Sequence, residues 1–280
     1  MLVNFRRILE EAQKERYAIG AFNMTAIETA MAIVTAAEKQ NSPVILQLSE
    51  KSIDYFGFDL ALGICRHLAE QAKVPVCVHL DHGKKMPLVD RALDSGFSSI
   101  MADLSKFPAN ERIKLGRDIV QRAHHKSITV ELEEDSIGGK EDYVSGEVKY
   151  SNPKRAASFV KETGCDAFAV AIGSAHGKPM PDEKLDLDLL REIRRVVTVP
   201  LVLHGASSTP PDITREAISR GICKINIDTD LRLAYSQKVR QALADPEVYD
   251  PRDYLKEALE AVMQVVEEKI KMFGSNNKAS

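Results

Sequence analysis

Polar residues suited to metal and proton chemistry stand where short apolar runs end. Asn23, Ser49, Asp81-His82, Asp103, Glu133, His176, His204 and Asn226 each sit at or just past such a run. His82, His176 and His204 lie on separate runs. Three neutral imidazoles can hold Zn²⁺ and leave its fourth position open, where the ion polarises a carbonyl as a Lewis acid. Asp81 adjoins His82 in His79-Leu80-Asp81-His82-Gly83. A carboxylate there either moves protons on a bound substrate or orients a ligand from behind. Asp103 and Glu133 suit either extra metal ligands or plain rim carboxylates. His79 is mid-run, where core packing or support of the site is expected, while His67, His124 and His125 fall on helix patterns.

Three segments suit an anion. They are Gly173-Ser174-Ala175-His176-Gly177, Gly205-Ala206-Ser207-Ser208 and Asn226-Ile227-Asp228-Thr229-Asp230. Backbone N–H groups, hydroxyls and a helix start next to glycine can cradle a phosphate beside the proposed metal.

The elements that must position these groups follow from the apolar runs. Strand-like runs cover 18–22, 43–48, 74–80, 98–102, 127–132, 167–172, 200–203 and 222–225. They read as apolar throughout, as expected of parallel strands covered on both faces. Amphipathic helix patterns lie between them at 27–40, 87–94, 110–124, 153–163, 188–196 and 211–219. Eight strand runs, each followed by a helix or long loop, predict an α/β protein, a (β/α)8 TIM barrel. Its chemistry would sit on the rim at the C-terminal strand ends, where the polar residues fall. Residues 1–280 read as a single domain with a helical extension at 254–273 and a frayed tail at 274–280. The longest stretch without clear structure is 133–150.

Composition bounds the function. Of 280 residues, 44% are hydrophobic and 28% charged, the balance of a globular chain with a sizeable core. A net charge of -3, from 38 basic and 41 acidic residues, lacks the basic footprint of nucleic-acid binding. No apolar run reaches the ~18 residues of a membrane span, and the charged N-terminus lacks a signal-peptide core. A cytoplasmic, reducing setting is expected, with Cys65, Cys77, Cys165 and Cys223 as buried small hydrophobes.

The ordered blocks resemble the class II, zinc-dependent ketose-bisphosphate aldolases. The similarity runs from Tyr17-Ala18-Ile19-Gly20-Ala21-Phe22-Asn23 through His79-Leu80-Asp81-His82-Gly83, Gly138-Gly139-Lys140-Glu141-Asp142 and Ala171 to Gly177. It continues in Leu201 to Ser207, Lys224-Ile225-Asn226, Asp250-Pro251-Arg252 and Phe273-Gly274-Ser275. The resemblance implies a zinc site of His82, His176 and His204, with Asp103 and Glu133 able to hold a second or displaced ion. It implies Asp81 as the acid/base on the hydroxyl at the bond made or broken. Glu141 would exchange a proton with the zinc-stabilised enediolate. Gly177, Gly205, Ala206, Ser207, Asn226, Ile227, Asp228 and Thr229 match the dihydroxyacetone-phosphate site, with a monovalent cation (Na⁺ or K⁺) nearby. Asn23 and Ser49 match contacts to the other half of the sugar. Arg252 matches an arginine reaching a neighbouring subunit's distal phosphate, which implies a homodimer or homotetramer.

Departures from the family pattern leave the metal and phosphate residues in place. Glu133-Glu134-Asp135 stands where Glu-Leu-Gly is usual, and Ser208 replaces a glycine. Asp103-Leu104-Ser105-Lys106 ends without the usual histidine, and Pro179 follows His176-Gly177-Lys178. The expected reaction is reversible cleavage of fructose 1,6-bisphosphate first, tagatose 1,6-bisphosphate or another dihydroxyacetone-phosphate adduct second. A non-catalytic sugar-phosphate binder or a metal-dependent hydrolase ranks lower. Schiff-base chemistry ranks lower too, since no lysine is expected at the strand ends near the pocket.

Overall fold

The computed structural model describes residues 1–134, 139–141, 144–146, 150–174, 184–207 and 209–279, with the backbone alone for 139–141 and 144–146. Its strands are β1 (Ile19–Asn23), β2 (Val44–Ser49), β3 (Val76–Gly83), β4 (Ser99–Ala102), β5 (Thr129–Glu133), β6 (Gly139–Glu141), β7 (Val144–Gly146), β8 (Ala167–Ala169), β9 (Leu201–Leu203) and β10 (Ile222–Ile227). All but β6 and β7 form a closed parallel barrel in the order β1-β10-β9-β8-β5-β4-β3-β2. This is the (β/α)8 architecture expected. β6 and β7 pair with each other as an antiparallel hairpin inside the stretch that showed no clear pattern.

The helices are α1 (Phe5–Glu15), α2 (Ile27–Lys39), α3 (Glu50–Phe56), α4 (Phe58–Gln71), α5 (Met86–Ser95), α6 (Ala109–His124), α7 (Pro153–Thr163), α8 (Leu187–Val196), α9 (Pro211–Ser219), α10 (Thr229–Ala242) and α11 (Pro251–Phe273). Three of them, α1, α3 and α10, were not anticipated, and of α4 only the helical setting of His67 was. α10 buries only Leu231, so it has no apolar stripe to read. α1 opens with the Asn4 side chain accepting from the Arg6 backbone N–H. Its Phe5, Ile8, Leu9 and Ala12 plug the N-terminal end of the barrel against Ile19, Ile45, Cys77, Ala167 and Val202.

Successive strand side chains point to opposite faces, and this alternation organises the barrel. Phe22, Leu46, Leu48, Val78, Leu80, Val130 and Leu132 pack outward under the helices. The alternate positions point into the barrel. Near its floor they are apolar: Ile19, Ala21, Ile45, Cys77, Ala167 and Ala169. Higher up they become polar yet stay buried: Asn23, Gln47, Ser49, His79, Asp81, Glu131, Glu133, Lys224 and Asn226. The runs are therefore not apolar throughout. They alternate in their upper halves, and the polar member faces the axis.

The tail differs from expectation. Ser275 is buried and accepts from Ser42 Oγ at 2.9 Å. The backbone N–H groups of Asn277 and Ala279 donate to the carbonyls of Gln40 and Asn41. These bonds fasten the segment after α11 to the end of α2. The cysteines Cys65, Cys77, Cys165 and Cys223 are all free and buried. Among the described residues no helix is long and apolar enough to cross a membrane.

Candidate active site

A break in β3 aims the first two groups of the site. Pairing of β3 with β4 shifts register between Leu80 and Gly83. His82 adopts φ 49, the left-handed region that a non-glycine residue rarely enters. Such a conformation costs about 1–3 kcal/mol and persists only where the surroundings enforce it. Its effect is to bring both Asp81 and His82 into the barrel mouth, although neighbouring residues of a regular strand point opposite ways.

Asp81 is held by two amides. Asn23 Nδ2 donates to its Oδ2 at 2.8 Å and Asn226 Nδ2 to its Oδ1 at 3.3 Å. Each amide is oriented from behind: Gln47 Nε2 donates to Asn23 Oδ1 at 2.9 Å, and Lys224 Nζ to Asn226 Oδ1 at 2.6 Å. Burial opposes charge on Asp81, but His82, His204 and Lys224 outweigh it and hold the carboxyl below its ordinary range. It is thus an ionised acceptor.

His204 follows β9. Its Nε2 lies 2.7 Å from Glu131 Oε1. A carboxylate only accepts, so Nε2 carries the hydrogen and Nδ1 keeps its lone pair. Nδ1 faces His82 Nε2 at 2.9 Å. Glu131 Oε2 in turn pairs with Lys224 Nζ at 2.9 Å, and all three side chains are fully buried. His79 sits beside them with Nδ1 2.6 Å from Ser99 Oγ. Burial, followed by Lys224, drives its pKa far below the usual histidine value, so it is neutral.

His82 behaves oppositely. Burial would lower it, but Asp81, then Asp103 and Glu133, lift it to about 9. The protonated ring donates from Nε2 to His204 Nδ1, so a positive charge rests between two imidazoles and a set of carboxylates. A metal ion would put its charge in the same place. Two ligands of a tetrahedral zinc stand ~3.3 Å apart at ordinary Zn–N lengths, a small adjustment from 2.9 Å. Ligand atoms of Asp81, His82 and His204 lie within 4.8 Å of one another, and so do those of His82, Asp103 and Glu133. The donor set fits a divalent cation.

Asp103 and Glu133 are unequal partners. Asp103 Oδ2 lies 3.7 Å from both His82 Nδ1 and Lys84 Nζ. Burial opposes its charge, yet His82 holds it well below the usual range. Burial and then the Asp103 charge push Glu133 well above its usual value. Its Oε2 is buried without a hydrogen-bond partner. Folded and unfolded Glu133 are both protonated below about pH 4. As pH rises the unfolded chain ionises first, so the metal-free fold loses stability until its own raised pKa is passed. Glu133→Gln should therefore melt higher than wild type at about pH 8 in chelator, with the gap closing towards about pH 4. A gap that does not change with pH would contradict this.

The other expected residues fall as follows. Ser49 is buried at the end of β2, beside Asp81 in register. Gly205 turns at φ 64 after β9, with Ala206 buried and the Ser207 carbonyl accepting from Lys269 Nζ. Ile227 and Asp228 are buried at the end of β10, and Thr229 starts α10. Asp228 is clasped by Arg232, Nε to Oδ1 at 2.8 Å and Nη2 to Oδ2 at 2.5 Å. Gly173 has φ 105, and a Cβ there would meet the Lys184 carbonyl at 2.3 Å. His176 and Gly177 lie outside the described residues, as does the side chain of Glu141, whose backbone belongs to β6. Arg252 opens α11 with its side chain 88% exposed and paired with Asp250.

Gln47, Glu131 and Lys224 were missed. Each is a polar residue two positions from a site residue within an apolar run, which the period of a strand places on the same face. Lysines do stand near the pocket, contrary to expectation: Lys84 beside Asp103 and Lys224 beneath Asn226.

Comparison with known proteins agrees with this geometry. The family model described as "Fructose-bisphosphate aldolase class-II" matches residues 3–278. The chain is 41% identical to the 6-phospho-5-dehydro-2-deoxy-D-gluconate aldolase of Bacillus licheniformis, over 99% of this chain and 96% of that one. It is 40% identical to the fructose-bisphosphate aldolase of Geobacillus stearothermophilus, over 100% and 99%. The crystal structure of the YdjI aldolase from Escherichia coli K12 superposes with a TM-score of 0.87 at 35% identity, covering 100% of both chains. With its closed barrel and its buried carboxylate–imidazole mouth, the chain belongs to the class II fructose-bisphosphate aldolase family.

Proposed function

We propose that this aldolase uses zinc to cleave a ketose 1,6-bisphosphate reversibly, giving dihydroxyacetone phosphate and an aldehyde. The observation that carries this reading is an ionised Asp81, fixed by two amides, beside the facing nitrogens of His82 and His204. His82 Nε2 and His204 Nδ1, with His176, would hold the ion, and Asp103 and Glu133 would serve a second or displaced one. When bound, zinc supplies Lewis-acid polarisation of the ketose carbonyl.

Asp81 accepts the proton of the C4 hydroxyl. The C3–C4 bond breaks, C4 becomes the aldehyde carbon, and the electron pair stays on C3. Glu141 delivers a proton to that carbon. Gly177, Gly205, Ala206, Ser207 and residues Asn226 to Thr229 hold the C1 phosphate, with Na⁺ or K⁺ beside it. Asn23 and Ser49 face the aldehyde half. In a homodimer or homotetramer the exposed Arg252 would extend to a neighbour's site, where its planar fork suits phosphate oxygens.

The relatives are named for two kinds of substrate, fructose bisphosphate and 6-phospho-5-dehydro-2-deoxy-D-gluconate. Both are adducts of dihydroxyacetone phosphate, and both end in an anion, phosphate in one and carboxylate in the other. Fructose 1,6-bisphosphate is our first assignment. The test is kcat/KM on it, on tagatose 1,6-bisphosphate and on 6-phospho-5-dehydro-2-deoxy-D-gluconate, with dihydroxyacetone phosphate as the measured product. Highest kcat/KM on fructose 1,6-bisphosphate supports the assignment. A higher value on either of the others moves it, and release from none refutes the reading.

A further inference from the structure

An acidic residue stands inside a segment that suits an anion. Asp230 follows Thr229 in the first turn of α10, the helix start proposed to hold the C1 phosphate. A helix N-terminus favours negative charge, so a carboxylate there competes with a bound phosphate and repels it. The nearby carboxylate of Asp228 is clasped from within α10 by Arg232. Asp230 is met from another element: Lys269 of α11 reaches its Oδ2 with Nζ at 2.6 Å. The reaction above uses neither Asp230 nor Lys269.

Lys269 interrupts the pattern of its helix. Ala258, Val262, Val266, Ile270 and Phe273 are the buried stripe of α11. Lys269 lies three residues past Val266 and next to Ile270, at the edge of that stripe. Its side chain is only 12% exposed, so solvent screens its charge poorly. The same Nζ donates to the Ser207 carbonyl at 3.3 Å. One ammonium thus bridges the loop after β9 and the first turn of α10, two pieces proposed to hold the phosphate. Among the described residues no other cation pairs with Asp230.

We infer that Lys269 is a positioning residue for phosphate binding, which acts by cancelling the Asp230 charge beside the bound anion. The inference rests on the proposed phosphate site and adds to it a residue from α11. The pair ties the two pieces together without leaving net charge of either sign. Removing Lys269 alone leaves the carboxylate without its ion pair beside the phosphate. Removing both charges leaves the helix start as an anion site.

Calorimetric titration of the zinc-loaded protein with glycerol 3-phosphate tests this. Lys269→Gln keeps a donor for Ser207 and loses the charge. It should bind about tenfold more weakly, the order of effect of one unit charge near an anion at a partly buried site. Lys269→Arg should keep most of the affinity. Adding Asp230→Asn to Lys269→Gln should restore most of it, although the ion pair is still missing. In cleavage of fructose 1,6-bisphosphate the same pattern should appear in KM, with kcat changing much less. Asp230→Asn alone should bind more tightly than wild type, and it decides the matter if Lys269→Gln does not fold. Equal loss in the single and double variants would make Lys269 a structural brace and overturn the inference. Wild-type affinity in Lys269→Gln, affinity in Asp230→Asn no higher than in wild type, or no binding to wild type would overturn it too. Release of dihydroxyacetone phosphate reads the aldolase function separately. A wild type that turns over, with normal binding in Lys269→Gln, loses only the inference. One that shows the binding pattern but releases no product loses only the aldolase reading.

Discussion

Asp81→Ala should retain its metal and lose about 10²–10⁴-fold in kcat, the usual worth of a positioned proton transfer. The expectation comes from how Asp81 is held. Asn23 and Asn226 donate to opposite oxygens and are themselves braced by Gln47 and Lys224. An amide network of this kind fixes an acceptor in one geometry, as a proton acceptor for a bound hydroxyl requires. It also shows why alanine is a cleaner probe than asparagine, whose NH₂ would face one of the two donors. Metal content and kcat should be measured on the same preparation. A metal-loaded Asp81→Ala with near-normal kcat would return Asp81 to the part of a supporting carboxylate.

Lys224→Met should destabilise the fold by about 3–5 kcal/mol, the typical cost of stranding one member of a buried ion pair. Lys224 meets Glu131 at 2.9 Å where both are fully buried, so its loss leaves the Glu131 charge with one partner fewer. Replacing both members removes that uncompensated charge. The double variant Glu131→Met, Lys224→Met should regain most of the lost stability. It should still bind metal about 10–100-fold more weakly, because His204 Nε2 has lost the carboxylate that fixes its tautomer. Denaturant unfolding and chelator competition measure the two effects separately. A single variant as stable as wild type would contradict the energetic argument. Wild-type metal affinity in the double variant would contradict the orienting role of Glu131.

These pairs also show what the sequence made legible. Asn23, Asp81, His82, His204 and Asn226 end apolar runs, so an eight-stranded barrel brings them to one rim, and the structure places them together. Gln47, Glu131 and Lys224 sit inside runs read as uniformly apolar. A period of two, counted back from Ser49, Glu133 and Asn226, would have put them on the inner face. The bend that turns both Asp81 and His82 inward depends on the φ of His82, which no residue type announces. α10 was hidden for a different reason. It lies on α11 and buries one leucine, so its helicity comes from tertiary contact without an apolar stripe. The tail after α11 reads as frayed because termini usually are, yet Ser275 and two backbone N–H groups fasten it to the end of α2.

Metal-dependent aldol cleavage of a ketose bisphosphate is the activity proposed for this barrel mouth. The most direct measurement follows release of dihydroxyacetone phosphate from fructose 1,6-bisphosphate, coupled to its reduction, before chelation, after chelation and after zinc is restored. Steady release, loss of turnover with chelator and recovery on adding zinc are expected. Turnover that continues undiminished in metal-stripped protein would contradict the proposed metal dependence.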